Sequence, residues 1–216
     1  MEYFNYPLDN ALSRKIAEKI MEQILKAELK PGDKIVESVY AEMFNTSRSP
    51  VREAIYLLAT EGLIERIPRK GAFIKGYTLS EIQDLLDVRN NLELLAAKRI
   101  FEPHKKKKLL DEMKSILKKM EKSTNQFEYT HLNYAFHLTL IKFSESKVLE
   151  GVYSKICFPL LRIQGIHFSI NETIDKSKGE HRKIYELLKE NEMDELISLL
   201  RKHTEDVIFN VRRNLL

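Results

Sequence analysis

The segment from Asn45 to Gly62 constrains this chain more than any other stretch. Asn45-Thr46-Ser47 suits a tight turn, because Asn tolerates the left-handed conformation and either hydroxyl can cap a following helix. Pro50 falls in the first helical turn, where a missing N–H is no loss. Val51, Ala54, Ile55 and Leu58 recur at i, i+3, i+4 and i+7, which makes one buried helical stripe. Glu61-Gly62 then places glycine at the terminating position. Arg48 and Arg52 are four apart and project from the face opposite that stripe, near the start of the helix.

The flanking residues predict what surrounds this helix. Leu12, Ile16, Ile20 and Ile24, with Ala17 and Met21, mark one face of a helix that begins at Asn10 or Ser13 and ends near Leu29, after an irregular leader over residues 1–9. Lys30-Pro31-Gly32-Asp33 is a turn. Ile35 and Val36 form a short extended stretch, and Ser38 can cap a brief helix with Val39, Met43 and Phe44 inward. Leu63–Ile67 and Ala72–Lys75 read as strands joined by Pro68-Arg69-Lys70-Gly71. Helix, short helix, turn, helix and basic hairpin make a winged helix-turn-helix over residues 10–76.

A helix enters the DNA major groove because that groove is wide enough and shows a distinct donor–acceptor pattern for each base pair. Arg48 and Arg52 are placed to pair with guanine. Thr46, Ser47 and Ser49 can bond phosphates, as can the N–H groups at the helix start. Arg69, Lys70 and Gly71 at the hairpin tip suit the minor groove or its phosphates. Any two arginines on a helix are more often simply solvated, but the turn, the stripe and the basic hairpin together favour the DNA-reading role. The net charge of +4 says little by itself, whereas four basic and no acidic residues between Arg66 and Lys75 give a local phosphate-binding edge.

Beyond Tyr77 the pattern is helical throughout. Segments of roughly 79–101, 105–122, 127–143, 146–166, 175–190 and 193–213 predict a bundle of about six helices. The fold class is therefore mostly α, with a winged helix-turn-helix over 1–77 and an all-helical domain over 78–216. The Lys105–Lys108 run is a solvated face. No apolar run reaches membrane-spanning length, and the first 25 residues carry charges throughout, so neither a membrane span nor a secretory signal is expected. The single Cys157 fits a reducing cytoplasm.

Three of the six histidines follow apolar stripes on three different helices. His137 shares a face with Tyr134 and Ile141, and His181 with Ile184 and Leu188. His203 continues Leu196, Leu200, Val207 and Val211. Asn133 lies one turn before His137. Each could be a core histidine satisfied by a neighbouring hydroxyl or carbonyl. Together they could instead hold a divalent transition metal, since bundle cores build such sites from inward side chains on facing helices. A three-histidine site with an open position would also serve a metal-dependent hydrolase with Glu180 as base, although no H-E-x-x-H pattern occurs and a winged helix would then be unexplained. Arg162 is, from its position in the pattern, a candidate to hold an acidic ligand.

The stretch Ser47-Arg48-Ser49-Pro50-Val51-Arg52-Glu53-Ala54-Ile55, flanked by Pro31-Gly32, Ala41-Glu42, Glu61-Gly62-Leu63-Ile64 and Gly71-Ala72-Phe73-Ile74, closely resembles the GntR family of bacterial regulators. The resemblance implies that Arg48 and Arg52 contact guanines of a short palindrome and that the turn at Gly71 enters the minor groove. Some relatives carry a further contacting arginine at the position of Ser38. The C-terminal part resembles the ligand-binding domain of the FadR subfamily, in its shorter VanR-like branch. Many such domains place an Asp-x-x-x-His pair on one helix and two later histidines 22 residues apart. Here these are Asn133, His137, His181 and His203, with Asn in place of Asp. The resemblance implies a metal, with zinc or nickel suited to three imidazoles, and a small organic acid effector held by an arginine at the position of Arg89. That arginine could equally form an ion pair with Glu93, one turn on. A homodimer acting as a repressor on double-stranded operator DNA is the expected whole.

Overall fold

The stripe of isoleucines near the N-terminus forms α1 (Ala11–Leu25), and Ile16, Ala17, Ile20, Met21 and Ile24 on it are buried. The chain is described here by a computed structural model covering residues 11–26, 28–100, 102–168 and 171–215; the leader expected over residues 1–9 lies outside these. It divides into two compact units, Met1–Tyr77 and Thr78–Leu216.

In the first unit, α1 is followed by β1 (Lys34–Ile35), α2 (Glu37–Met43), α3 (Arg48–Thr60), β2 (Ile64–Ile67) and β3 (Gly71–Ile74). The stretch at Ile35 joins the hairpin as a third antiparallel strand, in the order β1-β3-β2, with Ile35 opposite Ala72 and Ile67 opposite Gly71. Helix α3 buries Val51, Ala54, Ile55 and Leu58 as expected, together with Pro50 and Leu57. It packs on α1, where Ser13 Oγ donates to Glu53 Oε2 at 2.7 Å. Gly62 ends α3 with a φ of +75°, and its carbonyl accepts from the Tyr77 hydroxyl at 2.9 Å.

Three local expectations need correction. Helix α2 starts at Glu37 with Val36 as its N-cap residue, so Ser38 lies inside the first turn and caps nothing. Its inward residue is Tyr40, which donates to Gln23 Oε1 on α1 at 2.8 Å, whereas Val39 and Met43 are exposed. A seven-residue helix buries only one narrow face, and the tyrosine that reaches α1 sets which face that is. Ser47 does occupy the N-cap of α3, but its hydroxyl makes no capping bond.

The second unit contains α4 (Leu79–Ala97), α5 (Lys107–Lys122), α6 (Gln126–Phe143), α7 (Lys147–Lys155), α8 (Cys157–His167), α9 (Asn171–Glu190) and α10 (Met193–Leu215). Seven α-helices thus replace the expected six among the described residues, because the segment over 146–166 breaks at Ile156. Pro159 explains the break: it has no N–H for the Lys155 carbonyl and its ring would collide with it. Thr78 and Glu81 form a reciprocal capping box at the start of α4. Asn125 and Ser146 cap α6 and α7. Helix α6 packs against α4, α5, α7 and α8, so most of it is buried and each buried polar residue on it needs an internal partner. The main core joins Met113, Leu117, Phe136, Leu140, Ile184, Leu188 and Leu200. No helix among the described residues is long and apolar enough to cross a membrane.

Leu58, with 0% exposure, is the anchor of α3 on its unit. We expect Leu58→Ala to cost about 2–5 kcal/mol in denaturant unfolding of the first unit. A loss below about 1 kcal/mol would show that the helix is held elsewhere.

Candidate nucleic-acid interface and candidate metal centre

One open groove on the first unit lies between the N-terminal end of α3 and the wing. It is lined by six cationic side chains, Lys34, Arg48, Arg52, Arg66, Arg69 and Lys70, and by a single carboxylate, Glu37. The residues chosen from sequence as readers and wing contacts therefore share one surface, which Gly71 also lines. Arg48, Ser49, Arg69, Lys70 and Gly71 are exposed, and so is Ser47; Thr46 is half-buried and its N–H is committed to the Ala41 carbonyl at 2.8 Å. At the wing turn Arg69 and Gly71 have φ of +64° and +112°. A side chain at Gly71 would also press on Lys34 Cε, 3.1 Å from an added Cβ, so glycine keeps this tip low.

Arg52 has a partner that the sequence did not suggest. Its Nε donates to Glu37 Oε2 at 2.8 Å, across from α3 to the first turn of α2. Lys34 joins this surface only through the pairing of β1 with β3, which local pattern does not reveal.

In the second unit His137, His181 and His203 converge, each offering one ring nitrogen within 4.8 Å of the others. They come from α6, α9 and α10, and all three are buried. Their outer nitrogens are addressed by the protein. His181 Nδ1 donates to the Ser177 carbonyl at 2.6 Å, and His203 Nδ1 donates to Glu180 Oε2 at 2.6 Å. His137 Nδ1 stands 3.1 Å from Glu93 Oε2, but off the line of a hydrogen bond, so both atoms lack a formal partner. On the inner side, His137 Nε2 and His181 Nε2 are 3.0 Å apart, while His203 Nε2 is buried without a partner. Nitrogens held from behind and converging in front are the arrangement of a metal-binding histidine set. Burial, reinforced by the Arg89 charge, lowers the pKa of His137 to about 4. Burial and the neighbouring histidines push His181 well below its usual value. Both imidazoles are thus neutral, the form that binds metal. Asn133 is 1% exposed and its Oδ1 has no partner, so the interior holds an orphaned amide oxygen one turn from His137.

Beside this cluster lies a fully buried ion pair. Arg89 Nε donates to Glu93 Oε1 at 2.7 Å, with both side chains at 0% exposure. Tyr153 adds a hydrogen bond to the same oxygen at 3.1 Å. Burial opposes charge on Glu93, but Arg89 and His137 outweigh it and hold the carboxyl well below the usual range. The intrahelical pairing of Arg89 expected from its spacing is therefore present. That bond uses Nε, and among the described residues both terminal nitrogens of the guanidinium are buried without a hydrogen-bond partner. Gln164 on α8 is likewise buried, with neither amide atom paired among the described residues. Its sequence signal was a lone amide in an apolar run, Leu160-Leu161-Arg162-Ile163-Gln164, and it was missed. Arg162 is two residues away, on a different face of α8, and only half-buried. Glu180, weighed as a catalytic base, instead braces His203 from behind.

Residues 12–74 match the family described as bacterial regulatory proteins, gntR family, and residues 84–206 match the FCD domain. The chain is similar to YdhC, an HTH-type transcriptional regulator of Bacillus subtilis (strain 168), at 30% identity over 174 residues, which cover 79% of this chain and 78% of that one. It is similar to the gluconate operon transcriptional repressor of Bacillus licheniformis at 24% identity, covering 89% and 82% respectively. The solved structure of E. coli McbR/YncC shares the fold, with a TM-score of 0.76, 16% identity and coverage of 96% and 100%. The basic groove, the histidine cluster and these similarities lead to one conclusion: the chain belongs to the GntR family of DNA-binding transcriptional regulators and carries an FCD domain behind its winged helix-turn-helix.

Proposed function

We propose that this regulator is a dimeric repressor of a palindromic operator, controlled by a small carboxylate bound beside a divalent metal in the helical unit. The observation that carries the ligand reading is Arg89: a buried guanidinium with two unpartnered terminal nitrogens is complementary to a carboxylate, which it can grip with paired hydrogen bonds. Charge supports the same reading. His137, His181 and His203 would hold the ion through neutral nitrogens, with Asn133 as an amide oxygen donor, and zinc or nickel suits that set. The ion would supply a fixed positive charge and open coordination positions. With Arg89 positive and Glu93 negative, such an interior carries a net positive charge that an anion relieves. Arg162 is a secondary candidate for the effector, half-buried on α8.

On DNA, Arg48 and Arg52 would read guanine edges in the major groove while Thr46, Ser47, Ser49, Arg69 and Lys70 position the phosphates, with Gly71 at the minor groove. One recognition helix reads one half-site, so two subunits on a palindrome are the natural stoichiometry. Repression is the action named for the Bacillus licheniformis relative. The effector would switch the protein only by binding its DNA-competent and DNA-incompetent states unequally. The commitment of Glu180 to His203 argues against a hydrolase at this centre.

We expect Arg52→Ala to lower affinity for a duplex selected by the wild-type protein by at least about tenfold, with an unchanged melting temperature. Retained preference for that duplex would refute the reading mode. The wild-type chain should take up one zinc or nickel ion per subunit, measured by elemental analysis, and melt several degrees lower after chelation. His181→Ala should abolish both effects; equal metal content in the variant would remove the site. A panel of two- to six-carbon mono- and dicarboxylates should raise the melting temperature of the metal-loaded wild type but not of Arg89→Met.

A further inference from the structure

We propose that Glu37 is a positioning residue for DNA reading: its carboxylate aims Arg52 at its base and lowers affinity for DNA in general. The inference rests on the DNA-reading role of Arg52 proposed above. Three observations carry it. Among the described residues that line the groove, Glu37 is the sole acidic side chain, facing six cations. It bonds one of those cations, Arg52, through Nε at 2.8 Å. Arg48, the other reader on α3, has no ion pair of this kind among the described residues.

The geometry of the guanidinium gives this contact its meaning. Nε lies on the side of the fork and the two terminal nitrogens at its end. A carboxylate on Nε therefore restrains the plane of the group while leaving the end open for the two acceptors on the major-groove edge of guanine. Arg52 is 65% exposed and Glu37 34%, so in the free protein this pair is screened and weakly stabilising. Once DNA covers the groove and excludes water, the same pair is desolvated and its orienting effect grows. A swinging arginine can satisfy a phosphate as readily as a base; one tethered from the α2 side has fewer alternatives. The tether also has a cost, because a carboxylate in a phosphate-binding groove repels every sequence alike. Specificity gained by penalising all partners and rewarding one is a general device of selective interfaces.

The test uses the full-length protein, a duplex selected by it from a random pool, single-position variants of that duplex and an unrelated duplex of equal length. Glu37→Gln removes the charge and keeps the size. It should bind the unrelated duplex about two- to fivefold tighter, since one repulsion to phosphate is gone. Discrimination at the base pair whose preference Arg52→Ala abolishes should fall about tenfold. Discrimination at the pair lost in Arg48→Ala should be unchanged, which serves as the internal control. Undiminished discrimination at the Arg52 position overturns the inference. So does a parallel loss on all duplexes with a lower melting temperature, which would make Glu37 a purely structural contact. If Arg52→Ala itself keeps the preference, the reading mode fails instead, so the two failures are distinguishable.

Discussion

Two opposite charges buried one turn apart on α4 set the terms for the interior of the helical unit. Withdrawing a guanidinium and a carboxylate from water is expensive unless each finds good partners. Glu93 obtains Arg89, the Tyr153 hydroxyl and the nearby His137 ring. Arg89 bonds Glu93 through Nε, and among the described residues its two terminal nitrogens have no hydrogen-bond partner. The imbalance is informative because native proteins rarely leave buried donors unpaired without a functional reason. The same burial shapes the surroundings: it depresses the pKa values of His137 and His181 and, with Glu93, raises that of the Tyr153 hydroxyl.

The DNA-binding unit solves the opposite problem. Its apolar residues lie behind α3, on α1 and on the inner side of the small sheet, and six of its cations line one groove. Near-equal numbers of basic and acidic residues in this unit conceal that separation in the composition. The fold converts a neutral segment into a strongly polarised surface, because the cations of α3, β1 and the wing meet while most carboxylates point elsewhere.

What was legible in the sequence was whatever local periodicity or turn chemistry encodes. The stripe Val51, Ala54, Ile55 and Leu58, the hairpin at Gly71, and the phase of His137, His181 and His203 all depend on residues close along the chain. Asn45 takes its left-handed turn, at a φ of +48°, for the reason expected of asparagine. Illegible features depended on which elements become neighbours. Tyr40 faces inward because α1 offers Gln23, and nothing within a seven-residue helix announces that. The break at Ile156 was readable in principle from Pro159 but was hidden by an apolar pattern that runs through it. The pairing of Glu37 with Arg52 and the orphaned amide of Gln164 arise only once helices distant in sequence are packed.

The capping box at Thr78 has a mechanical consequence. Helix α4 begins at the junction between the two units and carries Arg89 eleven residues later, about 16 Å along the axis at 1.5 Å per residue. An uncapped helix frays at its first turn and dissipates a push delivered further along. Here Thr78 and Glu81 close that turn on both sides, so the first turn of α4 is held where the chain passes from one unit to the other. A displacement at Arg89 would therefore meet a closed first turn rather than a frayed one.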